Sequence, residues 1–285
     1  MKFISYHILK VTKKIRIIIS NYHSKSNIPK KNIEFKNIIN KNRDTLKKYS
    51  ILINEDQFKK NNYGMSNEIF QKMNFTINES PTYTDLIIFL SRFLEKVNIN
   101  YLEIGVSVLK NYIQIINSLR NANIIAYDIN PVNPNFGYLY NKEEKKMKMG
   151  TFEDNQIYYF EGSVTEENDF KLFKDHINKK FNIIFSDAMH TPEGIRSEFD
   201  NLIKDNLDDK FILYYDDLDF KGLEEEVSKI YKEINVSQKC NFYTFYINGW
   251  VGQYEIMHKN GVITNLDLSK IFKDERLNLR KFNKI

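Results

Sequence analysis

Three aspartates suited to metal chemistry follow two apolar runs of the chain. Asp187 comes directly after FNIIFS (181–186), and Asp216 and Asp217 come directly after KFILYY (210–215). If both runs are neighbouring parallel strands, their carboxyl ends meet at one sheet edge, where open α/β sheets bind ligands. Carboxylates gathered there repel one another unless a cation lies among them. Mg²⁺ suits oxygen ligands of this kind, so the pattern predicts a divalent metal site; the alternative is that these acids end strands and cap helices.

A histidine adds proton chemistry to the same region. His190 lies three residues after Asp187, in the segment before the helix that Pro192 opens. Such a histidine can accept a proton from a substrate hydroxyl as a general base, or it can be a further metal ligand or a loop residue bonded to Glu193. We therefore treat His190 and Asp187 as candidate catalytic residues. The other histidines are interpreted as structural: His7, His23, His176 and His258.

A second set of polar residues lies in NYLEIGVSVLKNYIQIINSLRNANIIAYDIN (100–130). One apolar run ends at Gly105, a helical pattern follows, and a second apolar run is closed by Asp128. A strand–loop–helix–strand unit of this kind places a glycine and a helix N-terminus beside a nucleoside, with a carboxylate ready to accept from ribose hydroxyls. The segment therefore predicts a nucleoside cofactor held by Asp128 and by Glu103, although helix capping would also explain either acid. Lys110, at the start of the helix, is interpreted as solvated.

The remaining elements position these residues in an α/β fold. The apolar pattern predicts strands at 100–104, 123–127, 156–160, 181–186 and 210–215, and helices at 84–97, 110–120, 167–177, 192–205 and 221–233, the first capped by Thr84. Alternating strands and helices indicate a doubly wound, mostly parallel, Rossmann-like sheet. Two aromatic-rich runs, 240–249 and 252–261, predict a closing antiparallel hairpin. Trp250, in its turn, is a candidate wall of an acceptor pocket.

The charge distribution divides the chain. Residues 1–60 hold 15 basic and 4 acidic residues, whereas the whole 285-residue chain has a net charge of +5, so the rest is net acidic. We predict a basic, mainly helical accessory extension (1–60), a linker or lid (61–83), a catalytic domain (84–262) and a loosely packed charged tail (263–285). The basic segment favours polyanions or anionic surfaces; the alternative is a solvated extension.

Cysteine content and hydropathy restrict the compartment. The single Cys240 excludes an intramolecular disulfide and a cysteine-cluster metal site, which favours a cytoplasmic location. No apolar stretch reaches the ~20 residues that span a bilayer. Residues 3–19 carry four basic residues among apolar ones, so peripheral membrane contact by residues 1–20 as an amphipathic helix is an alternative. The sequence leaves homo-oligomerisation open.

Residues 84–260 resemble the class I S-adenosylmethionine-dependent methyltransferases, most narrowly the metal-assisted small-molecule O-methyltransferases of the macrolide-sugar and catechol types. Glu103–Ile104–Gly105 matches the family's acid–x–Gly opening, and Asp128 matches its ribose-holding acid. Gly162–Ser163 stands where the family's loop meets adenine, and the final hairpin matches its reversed seventh strand. FSDAMHTPEGIRSEFDNL (185–202) and ILYYDDLDF (212–220) resemble the two segments that carry its metal-binding positions.

The resemblance implies a function. Methyl transfer from S-adenosylmethionine to a hydroxyl of a small molecule or sugar is expected, assisted by Mg²⁺ or another divalent cation. The implied cofactor contacts are Glu103, Gly105, Ser107, Asp128, Gly162 and Ser163. The implied metal ligands are Asp187, Asp216 and Asp217, with His190 near the transferred proton.

One departure from the family keeps a second function open. The family's first loop usually has two or three glycines, whereas here Gly105 stands alone in EIGVSVLKN, and Ser107 and Asn111 would have to compensate by hydrogen bonding. The alternative is a catalytically silent methyltransferase-like module that binds a partner through the basic N-terminus. A nucleic-acid methyltransferase is disfavoured, because no Asn-Pro-Pro-aromatic or Asp-Pro-Pro-aromatic motif occurs and the domain is net acidic.

Overall fold

The computed structural model describes residues 28–54, 79–94, 98–249 and 257–285, with side chains placed for 34–49 in the first range. The α-helices are α1 (Ile28–Asn54), α2 (Tyr83–Ser91), α3 (Lys110–Ser118), α4 (Glu167–His176), α5 (Pro192–Glu198), α6 (Leu223–Ser237) and α7 (Ser269–Phe272). The strands are β1 (Asn100–Ile104), β2 (Asn123–Asp128), β3 (Lys142–Glu144), β4 (Met147–Phe152), β5 (Asn155–Glu161), β6 (Phe181–Ser186), β7 (Leu207–Tyr215), β8 (Asn241–Asn248), β9 (Met257–Thr264) and β10 (Arg280–Lys284).

These strands form one sheet in the order β10-β8-β9-β7-β6-β1-β2-β5-β4-β3. The five strands from β7 to β5 in this order are parallel. Their register aligns Ile104 with Tyr127 and with Ser186, and Ser186 with Tyr215. The segments that follow these four residues therefore leave the sheet at the same edge, and they carry most of the candidate site residues. The predicted α/β fold class is confirmed.

Alternating strand residues build a core on each face of the sheet. On one face, Tyr101 and its neighbours pack with apolar side chains of α1, α2 and α3. On the other, Leu102 and Ile104 pack with apolar side chains of α4, α5 and α6. Burial on both faces explains why the central strands read as nearly continuous apolar runs.

The final hairpin reverses the direction of the sheet. β9 is antiparallel to β8, as the predicted hairpin requires, and also to β7. It spans Met257–Thr264, and residues 252–256 of the predicted run lie outside the described residues. Tyr215, the last residue of β7, pairs with Gly261, so the chain reaches His258 beyond the carboxyl end of β7. A strand that runs backwards therefore brings its first residues to the edge that carries the candidate site.

Three local expectations differ from the structure. The tail was expected to pack loosely, but β10 pairs with β8 and Phe282 stacks on Tyr243 at 6.0 Å. The helix expected at 192–205 changes to a π-turn at Phe199–Ile203 and a 3₁₀ turn at Lys204–Asn206. An edge hairpin of β3 and β4 was missed, because the exposed charges of β3 resemble a loop.

Some expectations lie outside the described residues. These are the amphipathic segment at 3–19, most of the predicted linker and Trp250. In the part of the chain that the structure describes, no helix has the length and apolar character needed to cross a membrane.

A buried ion pair joins α1 to the sheet domain. Arg43 lies 2.6 Å from Asp85 of α2, and the two side chains are 4% and 0% exposed. Asp85 also accepts the backbone N–H of Thr82 at 2.9 Å, so Thr82 rather than Thr84 is the N-cap residue of α2. Thr84 instead donates its hydroxyl to Asn111. Residues 34–49 of the predicted accessory extension are thus packed on the domain, with α1 contacting both α2 and α3.

Replacement of Arg43 tests this attachment. Arg43→Ala leaves a buried carboxylate without its counter-ion, which costs about 3–5 kcal/mol of unfolding free energy. Lys47→Ala is the matched control, because the Lys47–Asp44 pair is exposed to solvent and such pairs contribute about 0–1 kcal/mol. Urea unfolding measures both changes. A loss below 1 kcal/mol for Arg43→Ala would contradict the account.

Candidate functional site

The loop after β1 keeps a left-handed backbone with one glycine. Gly105 has φ +85°, and a Cβ there would lie 2.3 Å from the backbone oxygen of Asp187, so only glycine fits. Ser107 and Leu109 have φ values of 51° and 70°. Left-handed backbone costs a residue with a side chain roughly 1–2 kcal/mol. The loop therefore adopts, at some cost, turns that glycine would adopt freely.

Asp128 holds this loop in place. Its Oδ2 accepts the backbone N–H groups of Val106 and Ser107 at 2.6 and 2.8 Å. Its Oδ1 accepts the backbone N–H of Asn130 at 2.8 Å. Charge-assisted bonds of this kind are stronger than neutral ones. The residue predicted to hold ribose thus has a structural task as well, and it organises the loop beside the cavity.

A cavity of about 380 Å³ opens at this edge of the sheet. Five of the six predicted cofactor contacts line it: Gly105, Ser107, Asp128, Gly162 and Ser163. Asp187 lines it as well, together with the exposed apolar side chains of Ile129 and Met189. A volume in this range is usual for small-molecule sites.

Glu103, the sixth predicted contact, is not among the lining residues. It is 1% exposed, and its carboxylate accepts the Tyr101 hydroxyl at 2.8 Å. Burial raises the pKa of Glu103 well above its usual range, although the Tyr101 hydrogen bond acts in the opposite direction. In this arrangement Glu103 is a buried support of the strand end.

Gly162 and Ser163 line the cavity, and neighbouring side chains constrain both residues. A Cβ at Gly162 would lie 2.5 Å from the Phe160 ring and 2.9 Å from the Tyr127 hydroxyl, so core packing itself demands glycine. The Ser163 hydroxyl lies 2.9 Å from the Thr165 hydroxyl. These contacts do not test whether Ser163 binds adenine, so that role stays a prediction.

Next to the cavity lies an acid–histidine cluster, formed by Asp187, His190, Asp216, Asp217 and His258. His190 lies between two acids, with Nε2 3.3 Å from Asp187 Oδ1 and Nδ1 3.2 Å from Asp217 Oδ2. His258 also lies between two acids, with its Nδ1 2.6 Å from Asp217 Oδ1 and 3.4 Å from Asp216 Oδ2. Asp187 belongs both to the cluster and to the cavity wall, so the two form one site.

A hydrogen-bond relay orients Asp216. The Tyr214 hydroxyl donates to Asn260 Oδ1 at 2.5 Å, and the Asn260 amide donates to Asp216 Oδ1. The same Oδ1 accepts the backbone N–H of Asp217 at 2.8 Å, and Asp217 itself has φ 56°. The cluster is thus built into the strand ends and includes a strained residue, a feature often found at functional sites.

The acids and histidines shift one another's proton affinity. Burial alone would lower the pKa of both imidazoles, but Asp187 and Asp217 raise that of His190 to about 9. Asp216 and Asp217 raise the pKa of His258 to about 11. Burial raises the pKa of Asp187 above its usual range, while the hydrogen bond from His190 lowers it. The acids of the cluster therefore favour the positively charged form of both histidines.

Two residues have surroundings that their interpretations did not include. His258 was read as structural, but it contacts both aspartates that follow β7; a signal was available, since the first residues of a reversed strand reach the carboxyl edge of its parallel neighbours. Lys110 was expected to be solvated; it is half-buried, and burial lowers the pKa of its amine to about 7.

Solved structures with a similar fold include two O-methyltransferases and a spermidine synthase. The O-methyltransferase TomG of Streptomyces achromogenes, in complex with S-adenosylmethionine, is 10% identical with a TM-score of 0.46, covering 77% of this chain and 94% of its own. The Bacillus cereus O-methyltransferase bound to S-adenosylhomocysteine is 13% identical, with a TM-score of 0.45 and coverages of 76% and 94%. Spermidine synthase from Thermotoga maritima is 14% identical, with a TM-score of 0.40 and coverages of 75% and 67%. At these values the likeness assigns no function, and the argument for one comes from the site.

Comparisons of the sequence with protein families and with curated proteins do not assign a family. Residues 187–266 match the family described as CRISPR associated protein Cas6, C-terminal. This segment begins after β6 and holds β7, β8 and β9, which are inner strands of the single sheet rather than a separate unit. It covers less than half of the chain, so it does not place the protein in that family. No curated protein matches the chain.

Two substitutions at Ser107 measure the backbone strain of the loop. Ser107→Gly and Ser107→Ala both remove the hydroxyl and differ only in Cβ, so at φ 51° the glycine variant should be more stable by roughly 1–2 kcal/mol. At Ser228, inside α6, the alanine variant should instead be more stable than the glycine variant, by about 0.5–1 kcal/mol of unfolding free energy. Denaturant unfolding compares the four proteins, and equal stability of the two Ser107 variants would refute the strain.

Glu198 makes stability depend on pH. It is wholly buried on α5 and accepts the Ser186 hydroxyl at 2.6 Å. Burial raises its pKa to about 7, although the Ser186 bond lowers it. The folded state therefore favours the protonated acid, and this stabilisation is full below the unfolded pKa, near ~4.3, and is lost as the pH rises through 7.

Glu198→Gln should reduce the fall in stability between pH 5 and pH 8. The difference in unfolding free energy between the two pH values should shrink by roughly 2–4 kcal/mol, because the amide does not titrate. Glu225→Gln, at an exposed position of α6, is the control. An unchanged pH dependence in Glu198→Gln would show that Glu198 is ionised in the folded protein.

Proposed function

We propose that this protein is a class I S-adenosylmethionine-dependent O-methyltransferase that methylates a hydroxyl of a small molecule or sugar. The observation that carries the proposal is the shared position of Asp187, which lines the cofactor-sized cavity and bonds His190 of the acid–histidine cluster. A methyl donor in the cavity and an acceptor hydroxyl at the cluster would then be neighbours. The strand order and the reversed strand β9 support the same proposal.

The residues around the cavity fit S-adenosylmethionine. Ile129 and Met189 offer apolar surface for a flat base, and Asp128 and Ser163 offer polar atoms nearby. Backbone N–H groups of the loop are already ordered by Asp128. The donor carries a positive sulfonium, and the acidic residues at this edge favour binding of a cation.

The proposed mechanism depends mainly on alignment. Methyl transfer needs the acceptor oxygen, the methyl carbon and the sulfur in line at near-attack distance, and positioning of this kind supplies much of the rate enhancement. His190 is the candidate general base for the acceptor hydroxyl, and it can act only in its neutral form, because Asp187 and Asp217 contact both nitrogens of its ring and raise its pKa to about 9. The half-exposed Phe220 ring, 5.1 Å from the His190 ring, offers an apolar face to the acceptor.

The donor atoms of the cluster also suit a divalent cation. Carboxylate oxygens of Asp187, Asp216 and Asp217 would hold it, as the sequence predicts, and a bound divalent ion lowers the pKa of a coordinated hydroxyl. Imidazole nitrogens of His190 and His258 lie among these carboxylate oxygens, however. Mg²⁺ prefers oxygen ligands, so the residues fit a divalent ion without selecting Mg²⁺.

A catalytically silent binding module is the second candidate. The single-glycine loop EIGVSVLKN favoured it. That argument is weakened, because Ser107 and Leu109 hold the left-handed conformation without glycine. The clustered carboxylates and histidines also have no evident task in a purely structural module.

Calorimetric titration with S-adenosylmethionine and S-adenosylhomocysteine, each with and without Mg²⁺, tests the proposal. We expect micromolar binding of both. Asp128→Asn should weaken it more than roughly tenfold, because the loop loses its charge-assisted bonds, whereas the exposed Asp209→Asn should not. Ser163→Ala provides a variant that leaves the loop bonds intact. Absence of binding under both conditions would favour the silent module.

A further inference from the structure

Two short segments form much of the wall of the cavity. The first wall segment, 162–165, follows β5, and the second wall segment, 187–189, follows β6. α5 packs closely against the second segment, since a Cβ at Gly194 would lie 2.6 Å from the Cβ of Met189. Residues of α5 that do not touch the cavity can therefore determine its shape.

Two successive residues of α5 bond to these segments. The Ser197 hydroxyl donates to the backbone oxygen of Val164, in the first wall segment, at 2.6 Å. Glu198 Oε2 accepts the hydroxyl of Ser186, the residue before the second wall segment, at 2.6 Å. Neither Ser197 nor Glu198 is among the residues that line the cavity. They act on it only through the backbone segments that they hold.

The second oxygen of Glu198 indicates which form of the acid the fold holds. Glu198 is 0% exposed, and in the described part of the chain its Oε1 has no hydrogen-bond partner. The Tyr215 hydroxyl is likewise buried without a partner among the described residues, and Glu198 is the charge that raises its pKa most. A buried carboxylate with an unpartnered oxygen is costly, whereas the protonated acid is neutral and can donate a hydrogen bond. Burial accordingly raises the pKa of Glu198 to about 7.

Ionisation of Glu198 would disturb the second wall segment. The titratable groups around Glu198 and Tyr215 are Asp187 and His190 after β6, Tyr127 on β2, and Arg196 of α5 with its partner Glu226 of α6. Asp187 disfavours the ionised form of Glu198 and His190 favours it, but burial has the largest effect. An ionised carboxylate regains hydration only if its surroundings open. The bond to Ser186 ties such an opening to the cavity wall.

We propose that Ser197 and Glu198 are positioning residues for the cavity, and that protonated Glu198 holds the second wall segment in the conformation that binds the cofactor. The inference rests on the proposed function for the identity of that ligand, and it adds a dependence on pH. Glu198 is protonated below its pKa of about 7. Cofactor affinity is therefore full near pH 6 and falls as the pH rises through 7, because the ionised form must be protonated again before the wall closes.

Calorimetric titration of the full chain with S-adenosylhomocysteine at pH 6 and at pH 8 tests the proposal. Asp187 and His190 also titrate beside the cavity, so the comparison is between proteins rather than between pH values alone. The ratio of the affinities at pH 6 and pH 8 should be about tenfold larger for the unaltered chain than for Glu198→Gln, because the amide accepts from Ser186 but does not titrate. Glu225→Gln, at an exposed position of α6, is the control and should keep the ratio of the unaltered chain.

Two further variants separate the bonds from the charge. Ser197→Ala loses the bond to Val164 and should weaken S-adenosylhomocysteine binding by about 3–10-fold at both pH values, with the ratio between them unchanged. Ser237→Ala is its matched control, because the Ser237 hydroxyl donates to a backbone oxygen of α6 instead. Glu198→Leu offers Ser186 no acceptor and should bind weakly at both pH values. Thermal unfolding confirms that each variant is folded.

Hydrogen exchange of the ligand-free chain distinguishes failure of this proposal from failure of the proposed function. After correction for the intrinsic effect of pH, a peptide covering 186–195 should exchange faster at pH 8 than at pH 6, relative to a peptide covering β1. Glu198→Gln should not show this difference. If both measurements give the same pH dependence for the unaltered chain and for Glu198→Gln, the proposal is overturned, although S-adenosylhomocysteine binding would still support a methyltransferase. A chain that shows the expected exchange but binds no S-adenosylhomocysteine would keep the positioning roles and lose the proposed function.

Discussion

The hydrogen bonds that Asp128 accepts hold the proposed cofactor site together. One carboxylate oxygen accepts two successive N–H groups of the loop after β1, and the other accepts the N–H of Asn130. Because the loop has left-handed residues at Ser107 and Leu109, it needs such an anchor to stay in its conformation. The anchor sets the wall of the cavity, and Gly105 lets the loop approach the backbone after β6. Loss of this carboxylate would change the cavity before any ligand arrived.

The reversed strand is the second constraint on the site. Parallel strands bring Asp187, Asp216 and Asp217 to one edge, and the segment after β6 adds a single imidazole, that of His190. β9 runs in the opposite direction, so its second residue, His258, arrives at the same edge and balances the acids. Asn260 from the same strand orients Asp216. The reversed strand thus adds a second imidazole to an edge that carries three carboxylates.

The sequence predicts the sheet well because its signal is local. Apolar runs closed by Gly105, Asp128 and Asp187 mark strand ends that the structure confirms. The position of His258 depends on the pairing of β9 with β7, a contact between distant segments that only the expected reversal of the final hairpin indicates. The conformation of Ser107 is likewise invisible in sequence, because its left-handed backbone is held by a carboxylate twenty-one residues away.

Hydrogen exchange of the backbone amides with and without S-adenosylhomocysteine tests the central claim most directly. If the cofactor occupies the cavity anchored by Asp128, exchange should slow in peptides covering 103–112, 127–131 and 160–166, and the reversed strand at 257–264 should change little. Protection absent from all three peptides, despite measurable binding, would place the ligand elsewhere and contradict the account.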